Sequence, residues 1–173
     1  MIPNYDPVAT AEDCIYHPDK ADKAIRFITK YLSHTEEQWA GKQFELEPWQ
    51  NYLVRQLFGW YRPDGTRRYR MCFIFIPRGN GKSELTAALG LYYAFCEAPE
   101  SSNIVSVAGN AQQAEVVFKK ASGMVRNNKK LSNLCTIFKR SIQIPRKSIN
   151  YMVINSAGET KFGIPIDCCL FDE

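Results

Sequence analysis

The sequence holds no C-x-x-C pair and only two histidines, His17 and His34, far apart. That excludes a zinc site built on the usual ligand spacings. The six cysteines (Cys14, Cys72, Cys96, Cys135, Cys168 and Cys169) are scattered, and three of them lie in apolar runs that read as buried strands. Reduced thiols in a cytosolic setting are expected, with both histidines at the surface. No apolar run approaches the length needed to cross a bilayer, and the N-terminal stretch MIPNYDPVATAEDC lacks a basic region followed by an apolar core. The expectation is a soluble intracellular protein, neither secreted nor held in a membrane. Repeats and low-complexity tracts are missing too. Nor is there a strong charge: the 173 residues carry a net +4, with 45% hydrophobic and 23% charged residues. This is the composition of one globular domain, and it permits an acidic partner such as nucleic acid without demanding one.

The periodic segments give an order of elements. Residues 19–32 carry Ala24, Ile25, Phe27, Ile28, Tyr31 and Leu32 at helical spacing; after a glycine break at Gly41, Pro48 opens a second helix over about 49–58. Pro63-Asp64-Gly65 is a turn leading into an apolar strand over 71–76. A helix over 82–96, a strand over 104–108, an amphipathic helix capped by Asn110, shorter strands near 135–144 and 149–154, and an apolar strand over 166–171 complete the chain. The β–α–β rhythm is that of a parallel sheet.

Between the 71–76 run and the following helix stands IPRGNGKSEL, residues 76–85. The usual phosphate-binding loop reads G-x-x-x-x-G-K-[ST]; Gly81-Lys82-Ser83 fits its end, while Ile76 occupies the place of its first glycine. Gly79 and Gly81 can take backbone conformations closed to other residues, Lys82 supplies a point charge for the outer phosphates, and Ser83 a hydroxyl for a metal. The bland alternative is a helix start after a strand, with Lys82 in solvent. CCLFDE at 168–173 supplies the second half: a buried strand whose acids emerge at its C-terminal edge, Asp172 to hold magnesium with Ser83 and Glu173 to position and deprotonate a water. The two motifs in this order read as an ATP or GTP hydrolase core.

FELEPWQ (44–50), LFGWYRPDGTRRYR (57–70), IPRGNGKSEL (76–85), AGNAQQAEVVFKKASGMV (108–125) and FGIPIDCCLFDE (162–173) together resemble the large terminase subunits of tailed phages. The resemblance implies an α/β P-loop NTPase of the additional-strand (ASCE) type, a mainly parallel sheet flanked by helices, with residues 1–43 as a helical lead-in and 44–173 as a partial ATPase core. It implies ATP hydrolysis with Mg2+, coupled to movement of double-stranded DNA into procapsids. Implied partners are the portal protein, the small terminase subunit and further copies in a ring, all in the host cytoplasm. Residue by residue, Gln50 would contact the adenine edge, Arg78 the phosphates, and Gly79, Asn80, Gly81, Lys82 and Ser83 would form the nucleotide cradle. Glu173, Lys82 and Arg78 would be catalytic, and Ser83 and Asp172 would hold the metal. Gln112 and Gln113 would lie in a segment coupling the nucleotide site to DNA. Lys161 is the first candidate for a basic residue acting on a neighbouring subunit, with Arg140 and Arg146 next.

On this resemblance the family's C-terminal nuclease domain is expected to be absent from the 173 residues, and no endonuclease activity is assigned to them. In such folds the strand after Walker B inserts beside the loop strand. An incomplete sheet is therefore expected, with 71–76 and 166–171 facing an empty slot and poor hydrolysis by this chain alone. The runner-up readings are a nucleotide-binding piece that needs a partner chain and, less favoured because of the acid pair, a P-loop kinase.

Overall fold

The computed structural model describes residues 6–108, 111–155, 163 and 165–172. A two-residue strand, β1 (Ile15–Tyr16), precedes helix α1 (Pro18–Tyr31), whose first turn carries Pro18 and Asp19 and whose last carries Lys30, both charges complementing the helix dipole. Ala21, Ala24, Phe27 and Ile28 form its buried stripe. Helix α2 (Pro48–Gly59) again begins on a proline and is closed by a capping box between Glu47 and Gln50. It runs into β2 (Trp60–Tyr61), which pairs antiparallel with β1. Gly59 is required there, because a Cβ would lie 2.2 Å from the Tyr16 ring. The α1 and α2 helices pack on each other, and α1 also packs on α3 (Lys82–Tyr92), with Phe27, Phe58 and Tyr92 in ring contact. The lead-in and the segments after residue 44 thus share one hydrophobic core.

The sheet is built from β3 (Asn103–Ala108), β4 (Thr136–Ile137), β5 (Ser141–Ile144), β6 (Ile149–Asn155) and β7 (Cys168–Phe171), in the order β4-β5-β6-β3-β7. Helix α4 (Ala111–Arg126) forms the crossover after β3, and the short α5 (Lys129–Ser132) follows it. β3 runs parallel to both β6 and β7, whereas β4–β5 and β5–β6 are antiparallel. The sheet is therefore mixed, not mainly parallel as the β–α–β rhythm suggests. The physical reason is connection length: parallel neighbours need a crossover of a dozen residues or more, and only short turns join β4 to β5 and β5 to β6. One of those turns, Pro145–Lys147, ends on Ser148 in the left-handed region.

One face of the sheet, bearing Ile104, Ser106, Tyr151 and Leu170, meets the helices. Tyr151 packs edge-on against Phe118 of α4, and Leu170 sits where a Cβ on Gly90 of α3 would be, 2.5 Å from its Cδ1. That close approach seats α3 against β7 and sets the glycine loop beside the end of β7. The buried Tyr151 hydroxyl is hydrogen-bonded to Ser106 at 2.9 Å, and burial raises its pKa.

Residues 71–76, expected as a strand, form none. Met71, Phe73 and Phe75 are 87%, 87% and 90% exposed, and only Ile74 packs against the core. A strand is a ladder, and no strand among the described residues pairs with this run: β7, the last in the sheet order, pairs with β3 alone. Two of the cysteines expected in buried strands consequently lie open: Cys72 in this segment, and Cys169 on the face of β7 away from α3. Cys168, on the covered face, is half-buried, and burial pushes its thiol up to about 11. All six cysteines are free thiols.

Candidate functional site

The loop ahead of α3 owes its shape to two glycines in the left-handed region, Gly79 at φ 80° and Gly81 at φ 70°. Asn80 braces it by donating from Nδ2 to the carbonyls of Pro77 (3.1 Å) and Arg78 (3.3 Å). Lys82, the first residue of α3, turns back over the loop, and its ammonium donates to the carbonyls of Ile76 (2.6 Å) and Pro77 (3.0 Å). The next residue joins the two motifs: Ser83 Oγ donates to Asp172 Oδ2 at 2.9 Å. Asp172 is placed by β7 and by its own N–H on the Val107 carbonyl.

A cleft of about 940 Å³ opens over this loop. Its walls include Arg78 through Glu84, Asp172, Gln50 and Trp49 from α2, Val116 and Lys120 from α4, and His34, Trp39 and Lys42 from the loop after α1. Gln50 is 5% exposed; its Oε1 accepts the Glu47 N–H at 3.0 Å, and its Nε2 lies against Gly81, 3.4 Å from where a Cβ would stand. The amide expected to read a base edge is thus also the cap of α2, and its acceptor already has one partner.

Among the described residues no group of three or more His, Cys, Asp or Glu could hold a metal ion. A hydroxyl and a carboxylate in contact nevertheless fit Mg2+, which keeps several waters and takes one or two protein oxygens beside substrate phosphates. Glu173 and Lys161 lie outside the described residues, as does Asn110. Gln112 and Gln113 fall in the first turn of α4. Arg140 sits between β4 and β5 with its Nε buried and without a hydrogen-bond partner, and Arg146 is exposed in the turn after β5.

Three features escaped the motifs. The first is a clasp on Glu84, in the opening turn of α3: its carboxylate accepts from Thr35 N (2.8 Å), Thr35 Oγ1 (3.0 Å) and His34 Nδ1 (2.5 Å). His34, expected at the surface, is instead half-buried and stacked on Phe44. Fifty residues separate the partners, so no spacing rule could find them. The second is a seam between residues 31–36 and α4. Lys120, 7% exposed, is ion-paired to Glu36; Gly123 leaves room for Thr35; Asn127 donates to Ser33 Oγ and Asn128 to the Tyr31 carbonyl. The third was legible as charge: every charged residue between Glu115 and Glu159 is a lysine or arginine, nine in all.

A glycine loop, a lysine and a serine at a helix start, and a strand-end aspartate bonded to that serine thus meet at one cleft of a mixed α/β fold. The chain belongs to the terminase large subunit ATPase-domain family, whose description, "Terminase large subunit, ATPase domain", matches residues 48–173. It is 29% identical over 158 residues to the "Terminase, large subunit" of Enterobacteria phage HK97, covering 89% of this chain and 30% of that protein. The crystal structure of the HK97 bacteriophage large terminase aligns with a TM-score of 0.75 at 27% identity, over 89% of this chain and 31% of the other. The chain thus spans less than a third of the length of the relatives it matches. No helix among the described residues is long and apolar enough to cross a membrane.

Proposed function

We propose that this chain is the ATP-hydrolysing part of a phage terminase large subunit of the additional-strand P-loop type, coupling ATP turnover to translocation of double-stranded DNA into procapsids in the host cytoplasm. The observation that carries the reading is the 2.9 Å bond between Ser83 and Asp172 beneath the glycine loop. Ser83 and Asp172 would hold Mg2+, which when bound neutralises charge on the outer phosphate oxygens. Lys82 exchanges the Ile76 and Pro77 carbonyls for phosphate oxygens, while the loop amides between Gly79 and Ser83 and the Arg78 guanidinium bind the remaining ones. Gln50 presents its amide hydrogens to the base. Glu173 takes the proton of the attacking water, and Lys161, or else Arg140 or Arg146, reaches the site of a neighbouring copy in a ring.

The acid-free stretch from Lys119 to Lys147 supports duplex DNA as a partner, because phosphate contacts by Lys and Arg supply sequence-independent affinity. The portal protein and the small terminase subunit complete the set of partners. A second reading, nucleotide binding without turnover until another polypeptide packs on residues 71–76, is favoured by the exposure of Met71, Phe73 and Phe75.

The test is steady-state ATP turnover with and without duplex DNA. Lys82→Ala should abolish nucleotide binding, whereas Glu173→Gln should keep ATP and Mg2+ but stop hydrolysis. Unchanged turnover in Glu173→Gln would remove Glu173 as the base; tight binding without turnover in the unaltered chain would favour the second reading.

A further inference from the structure

Glu84 puts a negative charge one residue after Ser83, in the first turn of the helix whose start faces the cleft, where an incoming phosphate meets it as a like charge. Its carboxylate is engaged by the segment after α1. Thr35 N and Oγ1 donate to Oε1, and His34 Nδ1 donates to Oε2. Three donors converging on one carboxylate favour its charged form. The ionised carboxylate can only accept, so the imidazole carries its proton on Nδ1.

The donors are themselves fixed. The His34 ring lies 4.5 Å from the Phe44 ring at 18°, a stack it would lose by swinging away. Thr35 is seated against Gly123 of α4, where a Cβ would come within 3.0 Å of its Cγ2.

We propose that His34 and Thr35 are positioning residues of the phosphate site. They turn the Glu84 carboxylate away from the amides at the start of α3 and offset its charge, so that a triphosphate meets those amides and Lys82 without a competing anion. The inference rests on the reading of residues 76–83 as a phosphate cradle. A tie that merely anchored the lead-in would behave differently. Removing either partner would then do similar harm, whereas charge compensation makes the two removals opposite in sign and lets one rescue the other.

The probe is inorganic tripolyphosphate with Mg2+, which has no base, titrated calorimetrically into the chain at fixed salt. His34→Ala should weaken binding about fivefold, the scale of a charge at a helix N-terminus. Thr35→Val, which removes only the hydroxyl donor, should weaken it less, in the same direction. Glu84→Gln, which keeps an acceptor for Thr35 but no charge, should bind as tightly as the unaltered chain or more tightly, and should restore affinity when added to His34→Ala. Should His34→Ala fail to fold, the Thr35→Val and Glu84→Gln pair poses the same question. Lys82-dependent binding that is unchanged in His34→Ala and Thr35→Val, or a His34→Ala/Glu84→Gln double variant as weak as His34→Ala, would overturn the proposal alone. Tripolyphosphate binding that is absent, or indifferent to Lys82→Ala, would overturn the cradle and this proposal together.

Discussion

Two apolar hexapeptides in this chain stand in like surroundings and meet different fates. Residues 71–76 and 103–108 each stand a few residues ahead of a helix, α3 in one case and α4 in the other. The second is β3, paired on both edges, with Ile104 and Val105 fully buried; the first has no ladder and exposes Met71, Phe73 and Phe75. Composition does not separate them, since 71–76 is the more apolar of the two. What separates them is the supply of neighbours, because a strand is stabilised by its cross-strand pairs and by the face that covers it.

That contrast can be pressed experimentally. The largest effect is expected at the paired run: Ile104→Ala should lower unfolding free energy by about 2–5 kcal/mol, read from denaturant melts. A loss under about 1 kcal/mol would mean that β3 is not the centre of the core. Next comes the contact that ties the helix after the unpaired run to the sheet. Gly90→Ala should cost about 1–3 kcal/mol by driving a methyl into Leu170. It should also weaken Mg2+-dependent nucleotide binding by shifting Asp172 against Ser83; a stable variant with unaltered nucleotide affinity would show that the Leu170 contact does not set the site. The smallest effect belongs to the unpaired run itself. Phe73→Ser should change stability by no more than about 0.5 kcal/mol and raise solubility. A large destabilisation there would place Phe73 in a packed environment and erase the contrast.

The same two runs show how far the sequence could be read. Helices α1 and α2 were legible because Pro18 and Pro48 mark their starts and apolar residues recur at helical spacing. The nearness of Ser83 to Asp172 was legible because one residue opens a helix and the other follows a strand. The mixed sheet was not drawn from periodicity, although the short links on either side of β5 held the information. The 71–76 run misled because an apolar run reports what a segment would bury, not whether a partner lies beside it. The Glu84 clasp left no local trace at all: a histidine and a glutamate far apart in the chain meet only once α1, α3 and α4 have packed.

The seam along α4 has a mechanical consequence. Lys120, Gly123 and Asn127 recur at helical spacing and meet Glu36, Thr35 and Ser33 in reverse order, so the segment lies along one stripe of the helix. A slide of α4 along its axis by a single residue, about 1.5 Å, would put all of these contacts out of register together. Such a seam resists creep and yields in steps, as packed interfaces do. Any displacement of α4 therefore either carries residues 31–36 with it as one body, pulling on Glu84 at the mouth of the loop, or ratchets past them.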